Sequence, residues 1–229
     1  MMKRTVVATV SGAVLLGMAG TGWAQETKAL YPAMAPVEQY RSADEVALAR
    51  SAANEAVSRD AEVLVLGSRG YETAAKGTNG FVCVVERSWA VNFDNPQFWN
   101  PKLRAPHCFN AAAARSVLPA YLKRTELVLS GMPKDQVEAR MKEAVATKAI
   151  GAPDQGAMCY MMSKQGYLND TVGHWHPHVM FFLPTTDAAS WGANLDGSQV
   201  FAAQGAPEPV TTFMVPVMTW SDGTMEEMK

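Results

Sequence analysis

Apolar residues recur at helical spacing in some parts of the chain and in unbroken or alternating runs in others. A capping-box pattern from Ser42 to Glu45 precedes a narrow apolar stripe, which predicts a helix to about Ser58. The apolar runs at 61–67 and 81–87 predict two strands. Because the residues between them are rich in glycine, we expect the two strands to form a long hairpin.

The middle of the chain predicts helices. Asn110 is placed to cap a helix, and Pro119 is expected to kink or restart it before the stop at Ser130-Gly131. Pro133 then opens a further helix at its first turn. The preceding segment, 88–109, mixes aromatic residues with Asn, Asp and Pro, which predicts a long irregular loop.

The last third of the chain predicts strands without intervening helices. They fall at 157–163, in the run 173–184, and at 199–203 and 211–220. Pro216 interrupts the last of them, which indicates an edge position or a bulge. This order predicts an α+β fold: a mostly antiparallel sheet of about five or six strands, with helices packed on one face.

The N-terminus has the parts of an export signal. Lys3 and Arg4 are followed by an apolar region, and small residues lead to Ala24. We therefore predict a signal peptide over 1–24, a single α+β domain over 25–229, and a periplasmic or secreted protein with no membrane contact after cleavage. An uncleaved N-terminal anchor is the alternative.

Composition narrows the choice of partner. The formal net charge is −2 and the sequence has no basic cluster, which argues against nucleic acid or an anionic membrane as the main partner. A small molecule or a metal ion is expected instead.

In an oxidising compartment three cysteines allow one disulfide, and we predict that Cys83 pairs with Cys108 while Cys159 stays a buried thiol.

Histidines provide the clearest chemical signal. His174, His176 and His178 occupy alternate positions, so in a strand they would share a face with Met180 and Phe182. Val179, Phe181 and Leu183 would then point towards the core. Same-face neighbours along a strand lie roughly 7 Å apart, so two adjacent imidazoles can meet on one ion, whereas all three cannot unless the backbone bends.

Further ligands would complete such a site. His107 is the remaining histidine. Glu86 and Asp170 are candidates as metal ligands, as hydrogen-bond partners of the ligands, or as acid–base groups. This donor set suits a divalent transition metal such as zinc or copper. The 14 methionines, several of them near the histidine run, favour copper in a second version of the hypothesis. Hydrogen-bonded histidines on a polar face, or acid–base catalysis without metal, are the alternatives.

One short motif has a known counterpart. Gly173, His174 and His176 resemble the His-x-His pair of the first cupin motif. Val179 and Met180 stand where that family has a glutamate, and the helical middle of the chain does not match a cupin barrel. No activity is carried over from the resemblance.

Aromatic residues favour a second class of function. Trp99, Trp175 and Met180 are candidates for the wall of a pocket that takes an apolar ligand. The leading hypothesis is an exported metal-binding domain that uses the histidine run. The alternative is a non-enzymatic ligand-binding or interaction protein with an aromatic-lined pocket. Whether the protein is an enzyme is left open by the sequence.

Overall fold

A computed structural model describes residues 30–227, so the predicted signal peptide lies outside the described residues. The helices are Glu45–Arg50 (α1), Glu55–Ser58 (α2), Ala111–Ser116 (α3), Leu118–Leu129 (α4) and Lys134–Ala146 (α5). The strands are Glu62–Leu66 (β1), Tyr71–Ala75 (β2), Val82–Glu86 (β3), Ala105–Phe109 (β4), Met158–Met161 (β5), His178–Pro184 (β6), Phe201–Gly205 (β7) and Val210–Pro216 (β8). Between residues 30 and 227 we find no helix that is both long and apolar enough to span a bilayer.

The strands form one sheet in the order β2-β1-β3-β4-β5-β6-β8-β7. The α+β class is confirmed, but the expected size and pairing of the sheet are wrong. It has eight strands rather than five or six, and it is mixed because β1 and β3 pair in parallel. The predicted hairpin between these two strands therefore does not form. Instead β1 turns directly into β2, its antiparallel neighbour at the edge of the sheet.

Two strands were missed by the sequence pattern. Three of the five β2 residues are exposed, as expected at an edge, so the strand has few apolar positions to reveal it. In contrast, β4 is buried throughout and lies inside the predicted loop 88–109. Its Pro106 and His107 break the apolar pattern that would have predicted a strand.

Helices cover both faces of the sheet, which corrects the expectation of one covered face. On one face α1 packs Ala49 and neighbouring alanines against Val63, Val85 and the Cys83–Cys108 pair. On the other face α3 and α4 pack against a second cluster that contains Val84. Because side chains alternate along β3, successive residues of this strand enter opposite clusters.

The aromatic residues of 88–109 mainly fill a third cluster between the sheet and helices α4 and α5. Trp89, Phe98 and Trp99 pack there with Tyr40 and with apolar residues of both helices. The segment is therefore held in place by its own side chains.

The first helix is shorter than predicted. It begins after Asp44, whose side chain caps the Ala47 N–H at 3.1 Å, and it ends at Arg50. Glu45 is buried and pairs with Arg87 at 2.6 Å. Asn54 then caps α2 as a separate turn of helix.

Pro216 is not on an edge strand. It is the last residue of β8, which lies between β6 and β7 inside the sheet. The missing N–H leaves the neighbouring pairing intact, since Val217 still donates to the carbonyl oxygen of Pro177 at 2.9 Å.

Candidate functional site

A cavity of about 440 Å³ lies on the sheet face that carries α3 and α4. We call it the central cavity. The sheet supplies part of its wall from β3 to β8, and Val117, Ala120 and Tyr121 supply part from the helices. Leu103, Leu168 and Trp175 close further parts of the wall with apolar surface.

Strand register places the polar groups of this wall. Met161 of β5 is directly opposite His178 of β6. Cys108 of β4 is opposite Tyr160 of β5, so one step along each strand brings His107 beside Met161. All three side chains line the cavity, and they form a row across three adjacent strands. The row was not visible in the sequence because its members come from distant segments.

Glu86 is the most unusual group in the cavity. Its side chain is 4 % exposed, and its Oε1 atom is buried without a hydrogen-bond partner among the described residues. Burial raises the pKa of Glu86 well above its usual value, although the charge of Arg124 opposes the shift. The carboxyl group is therefore favoured in its protonated, neutral form.

His107 is also neutral. Its Nδ1 atom lies 3.0 Å from the carbonyl oxygen of Ala105 and 3.5 Å from Oε2 of Glu86. Burial lowers the pKa of His107 to about 3, and the nearby His178 adds to the effect. Two neutral groups do not form an ion pair, so Nδ1–H donates to Ala105 and Nε2 keeps a free lone pair.

His178 repeats this arrangement. Its Nδ1 atom lies 2.7 Å from the carbonyl oxygen of His176, and the imidazole lines the cavity. Burial lowers the pKa of His178, and the hydrogen bond to His176 opposes the shift. The cavity therefore presents Nε2 acceptors from two neutral imidazoles.

The formal charges in the wall are paired. Arg124 of α4 donates to both carboxylate oxygens of Glu208, at 2.8 and 2.6 Å, and to backbone carbonyls of 89–91. Arg87 is paired with Glu45. Tyr121 also lines the cavity, and burial raises the pKa of its hydroxyl well above the usual value. The cavity is thus an uncharged space with a few hydrogen-bonding groups.

The predicted histidine strand is only partly correct. Regular pairing begins at His178, and residues 174–177 before it lie outside any strand. The His176 side chain is 76 % exposed, and its Nδ1–H donates to Oε1 of Glu226 at 2.7 Å, while His174 packs edge-on against Trp220. The three histidines therefore do not share one face. Within residues 30–227 no three His, Cys, Asp or Glu side chains are grouped to hold a metal ion.

The expected direction of the core is also reversed in β6. Met180 and Phe182 are buried on the cavity side with His178, whereas Phe181 is 41 % exposed on the other face. Histidine on the core side was not expected because its polar ring favoured the solvent side.

The remaining predicted residues divide between the cavity and the rest of the molecule. Trp175 and Met180 line the central cavity, and the ring of Trp175 lies against Gly166. Trp99 belongs to the third cluster instead. Asp170 lies on the surface and pairs with Lys102 at 3.0 Å.

The cysteine predictions agree with the structure. Cys83 and Cys108 form a disulfide, and Cys159 is a buried free thiol. Burial raises the pKa of Cys159 well above its usual value, so the thiolate is disfavoured.

Several cavity residues were missed by sequence reasoning. Met214 belongs to an apolar run in which methionine resembles any core residue, whereas Met161 was one of the methionines that the copper hypothesis included. Tyr121 and Arg124 are three positions apart in a predicted helix and so lie on one side of it. Nothing in the neighbouring sequence indicates which part of the molecule that side contacts. Glu208 lies in a turn and gave no signal at all.

Comparison of the chain with protein-family models, with curated proteins and with solved structures finds no match.

Proposed function

We propose that the protein binds a small, mostly apolar and neutral molecule in the central cavity. The observation that carries the proposal is the buried Oε1 atom of Glu86, which has no partner in the described part of the chain and belongs to a residue that lines an apolar-walled cavity. Buried polar atoms are nearly always hydrogen-bonded, so an unpaired one calls for a partner from outside the protein.

The size of the cavity supports this proposal. Its volume of about 440 Å³ falls within the range of small-molecule sites. Such sites have a predominantly apolar wall and a few polar groups that fix the orientation of the ligand. Here those groups are the protonated carboxyl of Glu86, the hydroxyl of Tyr121 and the imidazoles of His107 and His178.

The charged residues of the cavity wall also indicate the charge of the ligand. Among residues 30–227, the cavity wall offers no unpaired cation, because Arg87 and Arg124 both have carboxylate partners. An anionic ligand would lose its hydration without gaining a counter-charge. A neutral molecule with an alcohol, phenol or amide group would satisfy both donors and acceptors.

The test compares 2-phenylethanol with phenylacetate, which differ in charge and little in size. Binding to the purified chain is followed by tryptophan fluorescence, since Trp175 lines the cavity. We expect the alcohol to bind better than the carboxylate. Glu86→Ala should weaken binding of the alcohol about tenfold, because it leaves the buried hydroxyl of the ligand without a partner, at a cost of about 1–3 kcal/mol. Asp170→Ala, at an exposed carboxylate, is the matched control and should have no effect.

Preferential binding of phenylacetate, or equal loss in both variants, would contradict the proposal. Circular dichroism of each variant shows whether the fold is retained.

We also propose that the protein is exported to the periplasm or secreted. The disulfide between Cys83 and Cys108 supports this location, because structural disulfides persist in oxidising compartments. Fractionation of cells that express the full chain, followed by N-terminal sequencing, tests it. Export with cleavage after Ala24 is expected, and an intact N-terminus in the cytoplasmic fraction would contradict it.

A further inference from the structure

We propose that the central cavity contains a site for monovalent copper, bound by Nε2 of His107, Nε2 of His178 and the thioether sulfur of Met161. Of the run His174–His178 expected to bind metal, this site uses only His178. It goes beyond the organic ligand proposed above and does not depend on it.

The row across the sheet is the first support. Met161 lies between the two histidines, one strand away from each, on the face that lines the cavity. Adjacent strands are about 4.8 Å apart, so the two histidine backbones lie about 10 Å apart. Two imidazoles that lean towards each other over the methionine can reach a common ion.

The orientation of the imidazoles is the second support. Metal-binding histidines usually donate the other ring N–H to a carbonyl or carboxylate, which fixes the tautomer. His107 and His178 both place Nδ1 against a backbone carbonyl oxygen, at 3.0 and 2.7 Å. Both therefore leave Nε2 free for a metal.

The ligand atoms in the cavity wall indicate which metal ion would bind. Met180 and Met214 line the same cavity, so three thioethers lie near two imidazoles. Thioether and imidazole together suit Cu(I), a soft ion. A divalent ion would bring two positive charges into a cavity whose available ligands are neutral, which favours the monovalent ion over zinc.

The experiment is an anaerobic titration of the purified full chain with Cu(I), in competition with bicinchoninate. Ascorbate keeps the copper reduced and leaves the disulfide intact. Every protein carries Cys159→Ala, because a thiol would bind Cu(I) by itself. We expect binding of one ion per chain.

Two matched pairs of variants locate the site. Met161→Leu is paired with Met158→Leu, which lies on the opposite face of the same strand. His178→Gln is paired with His176→Gln on the surface. In each pair the first variant should weaken Cu(I) binding by at least about 10–100-fold, since the loss of a residue that only orients a ligand typically costs that much, and the second should leave it unchanged.

X-ray absorption at the copper edge provides a readout that does not depend on affinity. A sulfur shell together with imidazole scattering is expected, and the sulfur shell should disappear in Met161→Leu. Absence of Cu(I) binding, a shell of nitrogen and oxygen alone, or loss of binding in His176→Gln but not in His178→Gln would overturn the proposal. Binding of 2-phenylethanol is measured with a chelator present, so the two proposals fail independently.

Discussion

Burial, more than residue type, determines the protonation states of Glu86 and His107. In water these side chains would be an anion and a partly protonated base at neutral pH. In the cavity wall the loss of hydration favours the uncharged form of each, so the pKa of Glu86 rises and that of His107 falls. Their contact is therefore one between two neutral groups, although the residue types would suggest an ion pair.

The first prediction concerns Glu86 and pH. Because its pKa is higher in the folded state, the folded chain keeps a proton above pH 4.5 that the unfolded chain releases. Raising the pH from that point therefore lowers the free energy of unfolding, by at most about 1.4 kcal/mol per pH unit, until the folded carboxyl also ionises. Glu86→Gln removes this loss, so it should become more stable than the wild type as pH rises.

Urea unfolding at several pH values, with metal-free protein, measures the difference. Glu126→Gln on an exposed part of α4 is the control and should follow the wild type. Parallel pH curves for wild type and Glu86→Gln would show that Glu86 is not held in its neutral form.

At the scale of elements, one buried ion pair joins the β7–β8 hairpin to helix α4. Glu208 lies in the turn of the hairpin, and both its oxygens accept from Arg124. The Arg124 side chain is 4 % exposed and the Glu208 side chain is 9 % exposed. This contact closes one side of the central cavity, since both residues line it.

The second prediction is that Glu208→Gln costs about 3–5 kcal/mol in the free energy of unfolding, because it leaves the charge of Arg124 buried without its partner. Adding Arg124→Met should recover part of the loss. Recovery is incomplete because Arg124 also donates to backbone carbonyls of 89–91.

Asp154→Asn is the control for this prediction. It breaks the exposed Arg115–Asp154 pair and should cost less than about 1 kcal/mol. Equal losses in Glu208→Gln and Asp154→Asn, measured by denaturant unfolding, would show that the buried pair is not important for stability.

At the scale of the whole molecule, the Cys83–Cys108 disulfide joins β3 to β4 where they pair in register. It also lies beneath α1, in the cluster that covers the face away from the central cavity. The crosslink therefore stabilises the middle of the sheet and the packing of one face together.

The third prediction is that the double variant Cys83→Ala/Cys108→Ala loses about 3.5 kcal/mol of stability. The estimate follows from the entropy of closing the loop between positions separated by 25 residues. Thermal unfolding provides the measurement. The wild type treated with a strong reductant should match the variant, and an unchanged melting temperature in both would contradict the prediction.

Local sequence signals determined much of the architecture. Strands β1 and β3, the cap at Asn110, the restart at Pro119 and the helix after Pro133 were predicted close to their observed positions. These features depend on spacing and backbone chemistry within one turn or one strand, which the sequence contains directly. The disulfide was also predicted correctly. Three cysteines allow only three pairings, so the choice was small.

Tertiary structure alone decided the site. The parallel pairing of β1 and β3, the burial of β4 and the direction of β6 depend on contacts between distant segments. The sequence identified Glu86, His107 and His178 as candidates by their chemistry. Only the order of the strands brings them to one cavity, and only their burial there makes them neutral, because both effects arise from neighbours that are remote along the chain.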